Sequence, residues 1–223
     1  FRAGITPSAM EFMERDAIDF VLRFHSSSLE IKPHIKAHLI IEVDGHDKEM
    51  LMRDCEKITE EMMKYECDDI MFADSAAQKA ELWKLRRAAG EAVKSHSVYK
   101  EEDTVVPRAF LPALLKGVKE IGEKYGFRSV CYGHAGDGNL HVNIIKENMS
   151  DEDWNNKVPE GIREIFKLCH QLGGTLSGEH GIGLVQKHYL PIVFNDTQIQ
   201  IQKKIKSVFD PLNILNPGKI FPD

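Results

Sequence analysis

The sequence predicts an α+β fold: a ferredoxin-like antiparallel sheet with helices on one face, plus a C-terminal helical segment. Three observations carry this. Apolar residues recur at helical spacing through 47–66, 110–125 and 151–172. Between the helical stretches lie short segments of roughly five to eight residues with strand-like composition. Two of these segments flank Gly133, Gly136 and Gly138, and the glycines lead straight into the second segment, as in a hairpin. A doubly wound parallel sheet would instead place a GxGxxG loop after a strand and at the start of a helix, and the sequence has none.

In chain order, residues 1–7 read as the tail of a helix ended by Gly4 and Pro7, which suggests a piece of a longer polypeptide. A short strand over 9–13 and a helix over 15–24 follow. Residues 29–37 are irregular, and 38–43 is a strand closed by Asp44 and Gly45. The helix over 47–66 carries Met50, Leu51, Ile58, Met62 and Met63 on or near one face, and its methionines suit plastic core packing. Residues 70–73 read as a strand, and Asp74 or Ser75 caps a helix to about Val93. Residues 97–106 are extended and stop at Pro107. The amphipathic helix over 110–125 ends at Gly126. Strands over 128–132 and 139–146 flank the glycine loop. A helix over 151–172 breaks at Gly173 and Gly174, and a second glycine-rich loop fills 174–183. A short helix then runs to Tyr189 and is ended by Pro191. The last helix spans 197–209.

Composition narrows the function. The chain has 223 residues, 42% hydrophobic and 29% charged, the profile of an ordinary globular protein. Its formal charge is −6 with both signs scattered, and no basic block argues for nucleic acid. No apolar run approaches the roughly 18–20 residues needed to span a bilayer. The N-terminal residues show no signal-peptide pattern. The four cysteines, Cys55, Cys67, Cys131 and Cys169, lack CxxC spacing, which argues against a zinc ribbon, a redox dithiol or an iron–sulfur site. They read as buried or partly buried free thiols in a reducing compartment.

The chemistry concentrates in two loops. At strand periodicity Asn139, His141 and Asn143 point one way and Leu140, Val142 and Ile144 the other. One face is thus apolar and the other polar. His134, in the loop, can fold back toward the polar face, although two histidines seven apart also fit a hairpin with incidental imidazoles. The second loop adds Glu179 and His180 between Gly178 and Gly181. Two imidazoles and a carboxylate make the ligand set of a divalent metal site with an open position. The expected ligands are His134, His141 and Glu179, and His180 is left to act as a base. The same set would serve a mononuclear metal hydrolase, or a fold clip in a non-catalytic oligomerisation or cap subunit.

Three segments carry a resemblance: 133–141 (GHAGDGNLH), 174–183 (GTLSGEHGIG) and 210–221 (DPLNILNPGKIF). Together, in this order, they resemble the C-terminal half of the FAD-linked oxidases, a family that includes D-lactate dehydrogenases, the flavin subunit of glycolate oxidase and D-2-hydroxyglutarate dehydrogenases. Residues 83–86 and 103–107 extend the likeness over most of the chain. The resemblance implies an FAD-dependent dehydrogenase that oxidises a small 2-hydroxy acid to the 2-oxo acid with hydride transfer to the flavin. FAD would be held mainly by an N-terminal domain missing from this chain. Residues 1–190 would be the substrate or cap domain, and 191–223 would return to the flavin domain. His134, His141 and Glu179 would hold a divalent metal of the Zn type, and His180 would be the catalytic base. Arg86, Lys100 and Asn143 would lie near the substrate, and Asn216 and Lys219 near the flavin. Some relatives carry Thr or Ser where this chain has Gly90. The electrons would pass to a separate subunit, domain or carrier, at a cytoplasmic location that becomes peripheral to a membrane only through that acceptor. The fragment alone is expected to be inactive, and a homo-oligomer is allowed.

Overall fold

The computed structural model describes residues 1–25 and 31–222. Two residues of the stretch expected to be irregular, Leu29 and Glu30, lie outside the described residues. The elements are β1 (Ala9–Glu14), α1 (Arg15–Phe24), β2 (Ala37–Glu42), α2 (Lys48–Met62), α3 (Ala76–His96), β3 (Tyr99–Val105), α4 (Leu111–Tyr125), β4 (Arg128–His134), β5 (Asn139–Ile145), α5 (Asp151–Gln171) and α6 (Asp196–Phe209). The strands form a five-stranded sheet in the order β2-β1-β4-β5-β3, and β1–β2, β1–β4 and β3–β5 pair antiparallel. This is the α+β class the sequence predicts. By contact density the chain divides into two compact units, Phe1–Val98 with Val130–Gly136, and Tyr99–Ser129 with Asp137–Asp223.

In the first unit α1 packs on α3. α1 buries Ala17, Ile18, Phe20 and Val21. α3 answers with Leu85, Ala88, Ala89, Ala92 and Val93, the i, i+3, i+4, i+7, i+8 stripe of a helix with one apolar face. Ser75 starts α3 with a capping box, its side chain accepting from the Gln78 N–H while Gln78 reaches back to the Ser75 N–H.

In the second unit the β3–β5 register puts Lys100, Glu102 and Thr104 opposite Ile144, Val142 and Leu140. That face packs on α4 and α5, which bury Leu114 and Val118, and Trp154, Val158, Ile162, Ile165, Phe166 and Cys169. All of β5 is buried, so the polar face of the predicted alternation is enclosed as well.

Several boundaries differ from the sequence reading. The helix expected over 47–66 stops at Met62, where the Met63 N–H turns to the Thr59 and Glu61 carbonyls. Glu60 and Glu61 crowd its C-terminal end and no basic residue lies in its last turn, which opposes the helix dipole. Residues 70–73 are not a strand. Ile70, Met71 and Phe72 are consecutive, exposed apolar residues, and without a neighbouring strand the backbone has no ladder to join. Residues 1–7 contain a turn rather than a helix, with Gly4 at φ +77°. The short helix before Pro191 is a 3-10 turn, Lys187–Ile192, that starts later and includes the proline. It is held by Leu190, which is buried, and by Tyr189 against the Phe166 ring at 5.1 Å. His134 ends β4 instead of lying in the loop.

Candidate active site

In the second unit His141 lies opposite Asp103, Asn143 opposite Glu101, and Asn139 opposite Val105. Opposed residues share a face of the sheet, so these side chains form one polar layer. Asp103 organises it. Its Oδ1 accepts from Asn139 Nδ2 at 2.6 Å. Its Oδ2 accepts from Ser177 Oγ at 3.0 Å and from the backbone N–H groups of Glu179 and His180 at 2.7 and 2.8 Å. The Gly178 N–H donates to the Asp103 carbonyl at 2.9 Å. Burial pushes the Asp103 carboxyl up, but these donors outweigh it and hold it below the usual aspartate range. A buried anion therefore pins residues 177–180 against the sheet.

Pinned in this way, the loop delivers its side chains to His141. Glu179 Oε1 lies 3.7 Å from His141 Nε2, and Glu101 Oε1 lies 3.5 Å from His141 Nδ1. The His180 ring centroid is 5.3 Å from that of His141, tilted by 32°. Ligand atoms of Glu101, His141 and His180 fall within 4.8 Å of one another, as do those of Asp103, Glu179 and His180. Four donors already engage the Asp103 carboxylate, three of them on Oδ2, so it serves as the anchor of the loop.

In the first unit β1 pairs with β4, and Glu11 faces His134 directly. Glu11 Oε1 lies 2.8 Å from His134 Nδ1, and Glu11 Oε2 accepts from Arg86 Nε at 2.8 Å. Glu11 and Arg86 are both buried. The Arg86 guanidinium sits 5.0 Å from the centroid of the Tyr132 ring. A Cβ on Gly90 would stand 3.3 Å from the Tyr132 hydroxyl, so the tyrosine packs close against the bare backbone there.

The other expected residues are spread more widely. Asn143 is buried in the polar layer. Lys100 is on the opposite, helix-packed face of β3, with its ammonium 5.3 Å from the centroid of the Trp154 ring, so the structure does not bring it to His141. Asn216 and Lys219 lie in the exposed tail, where Lys219 Nζ donates to Asn216 Oδ1 at 2.9 Å. The tail is tied to the second glycine loop by the Ile220 N–H, 2.6 Å from the Gly183 carbonyl.

The model of the family described as FAD linked oxidases, C-terminal domain, matches residues 1–220. The chain belongs to this family. It is 33% identical over 225 residues to D-lactate dehydrogenase of Anaerostipes hadrus, covering 99% of this chain and 47% of that protein. Against glycolate oxidase subunit GlcD of Bacillus subtilis the identity is 33%, over 98% of this chain and 46% of the relative. A D-2-hydroxyglutarate dehydrogenase of Stutzerimonas stutzeri is 38% identical over 69% of this chain and 33% of its own length. Among solved structures, a 4-ethylphenol oxidase from Gulosibacter chungangensis in complex with isoeugenol superposes with a TM-score of 0.61 at 12% identity, over 96% of this chain and 48% of that one, a likeness of fold. The chain thus spans about half the length of the curated relatives it matches.

Imidazole nitrogens and carboxylate oxygens gathered around His141 form a donor set for a divalent ion, with Glu179 and His180 still exposed on the loop. Sequence reasoning missed Glu11, Glu101, Asp103 as an anchor, and Asp210. Asp210 ties the tail by accepting from the Ile214 and Leu215 N–H groups at 2.9 and 3.0 Å. One signal for two of them was legible: Glu101, Glu102 and Asp103 are three consecutive acids inside a strand, where burial demands a partner for each.

Proposed function

We propose that this chain is the substrate-side half of an FAD-dependent dehydrogenase that oxidises a 2-hydroxy acid of the glycolate, D-lactate or D-2-hydroxyglutarate class to the 2-oxo acid. The observation that carries the reading is the Asp103-pinned loop that sets Glu179 and His180 beside His141. The names of the relatives support the substrate class.

His134, His141 and Glu179 are the proposed ligands of a divalent ion, Zn²⁺ being the first candidate, which when bound lowers the pKa of the substrate hydroxyl. FAD, held mainly by the portion of the protein outside this chain, supplies the hydride acceptor, with residues 191–223, including Asn216 and Lys219, reaching toward it. His180 takes the α-hydroxyl proton, and its backbone is fixed for this by Asp103. Arg86, already paired with Glu11, offers its remaining N–H groups to a substrate carboxylate, and Asn143 hydrogen-bonds the bound acid. The role expected for Lys100 falls outside this mechanism because its ammonium lies over Trp154. The electrons then leave to a separate subunit, domain or carrier. The four free cysteines support a reducing, cytoplasmic setting, and no helix among the described residues is long and apolar enough to cross a membrane.

The test uses the full-length protein under anaerobic conditions. Its flavin absorbance should bleach on addition of D-lactate, glycolate or D-2-hydroxyglutarate, and a metal chelator should slow the bleaching without releasing flavin. A flavoprotein that none of the three acids reduces would sink the proposal.

A further inference from the structure

We propose that Glu11 is the positioning residue for His134, fixing which ring nitrogen can bind a metal, with Arg86 as the cation that locks Glu11 in place. The inference rests on the proposed ligand role of His134 and deepens it. β1 and β4 bring Glu11 directly opposite His134. With the imidazole neutral, the only partner a carboxylate oxygen can accept from is an N–H, so the 2.8 Å contact to Glu11 Oε1 puts the proton on Nδ1. The lone pair is then on Nε2, the ring's metal-binding atom in this tautomer. A carboxylate behind a ligating histidine is a recurring way to set ring orientation and raise ligand basicity.

Arg86 completes the device. It donates to the other carboxylate oxygen at 2.8 Å, and the ion pair is buried, with side-chain exposures of 10% for Arg86 and 7% for Glu11. At that burial an uncompensated carboxylate would be costly, so the guanidinium is what allows a charged acceptor to stand behind His134. The Tyr132 face, 5.0 Å from the guanidinium, holds the cation in line. Arg86 therefore serves His134 through Glu11 whether or not its remaining N–H groups also meet a substrate.

The chemistry makes a sharp prediction for Glu11→Gln. Arg86 can only donate, so it retains the amide oxygen of the new side chain. The amide NH2 is then turned toward His134 Nδ1, which must accept, and the ring proton moves to Nε2. The variant has nearly the shape of the native side chain and the opposite tautomer. In the double variant Glu11→Gln/Arg86→Met the amide is free to turn its oxygen back to His134.

The experiment uses full-length protein labelled with 15N-histidine, at a pH of about 8.5 where an ordinary imidazole is neutral. It reads the His134 ring shifts without added metal, and Zn²⁺ affinity by competition with a chelating dye. The expected result is Nδ1–H in the native protein and Nε2–H in Glu11→Gln, with Zn²⁺ affinity lower by about 10–100-fold. Part of both changes should be reversed in the double variant. Native protein with the His134 proton on Nε2, or Glu11→Gln with native tautomer and affinity, overturns the proposal. If Glu11→Gln does not fold, the native tautomer alone still decides. If the tautomers behave as expected but the native protein binds no Zn²⁺, the positioning role stands and the metal reading falls.

Discussion

At the scale of single residues, the buried carboxylates divide by what faces them. Asp103 is surrounded by donors and is held as an anion. Glu102, next to it in sequence, projects to the other face of β3, into the helix-packed core. Burial pushes its carboxyl up to about 7 and the neighbouring Glu101 charge adds to this, while the Gln186 hydrogen bond at 2.7 Å and Lys100 only partly oppose it. Cys169 of α5 and Tyr189 of the 3-10 turn face the same carboxylate, whose charge helps raise both, after burial. A carboxyl of raised pKa binds its proton more tightly in the folded state. Its contribution is therefore most favourable at low pH, declines as pH rises from about 4.5 through about 7, and is constant above. The full swing is about 3 kcal/mol. Glu102→Gln should remove this slope. In urea unfolding the variant should be more stable than the native protein at pH 8 by up to about 3 kcal/mol, and close to it near pH 4.5. Equal midpoints at pH 8 would show that burial does not raise the Glu102 carboxyl above its ordinary range. The sequence shows three acids in a row here, but not that one is a loop anchor and another a core proton carrier. That distinction depends on the strand register, which puts Asp103 opposite His141 and Glu102 opposite Val142.

At the scale of elements, the two glycine-rich loops were legible because glycine marks places where backbone or side chains come too close for a Cβ. Gly138 at φ +78° would put a Cβ 1.9 Å from the Val106 carbonyl oxygen, and Gly178 would put one 2.3 Å from Asn139 Nδ2. The helices and strands with a buried partner were legible too, since periodicity reports burial. α2 and residues 70–73 are less regular than their apolar content suggests, for the converse reason. α2 buries none of its residues, and local apolar content without a covering layer does not fix an end point. The sequence places His134 in the loop because its pairing with β1 is a long-range fact, with Glu11 more than a hundred residues away in sequence. The loop argument can be tested at Gly178. A methyl there must displace the Asn139 amide from Asp103, so Gly178→Ala should lose about 1–3 kcal/mol and loosen Glu179 and His180 together. Gly181→Ala meets no atom within 4 Å, and its cost is the backbone strain of a residue at φ +80°, about 1–2 kcal/mol. In the full-length enzyme Gly178→Ala should therefore depress turnover well beyond Gly181→Ala, and equal losses would mean that the loop is not set by Asp103.

At the scale of the whole molecule, this chain covers 47% of the length of its D-lactate dehydrogenase relative, and under the proposed function the chemistry is shared with a flavin-holding portion outside it. A variant that acts only on the substrate side should leave the flavin side untouched. His180 suits this test because its side chain is exposed on a loop held by backbone hydrogen bonds, one of them from its own N–H to Asp103 at 2.8 Å. Removing the imidazole leaves those bonds in place. His180→Ala in the full-length protein should keep the flavin spectrum and stoichiometry of the native enzyme. Its anaerobic reduction by the preferred hydroxy acid should slow by about 10²–10⁴-fold, the contribution of a general base. Because the missing step is proton removal, the residual rate should rise with hydroxide concentration where the native rate does not. Loss of flavin from the variant would assign the 174–183 loop to cofactor binding. Flavin retained with an unchanged rate of reduction would mean that another group takes the proton, with Glu101, 3.5 Å from His141 on the same face of β3, the next to replace.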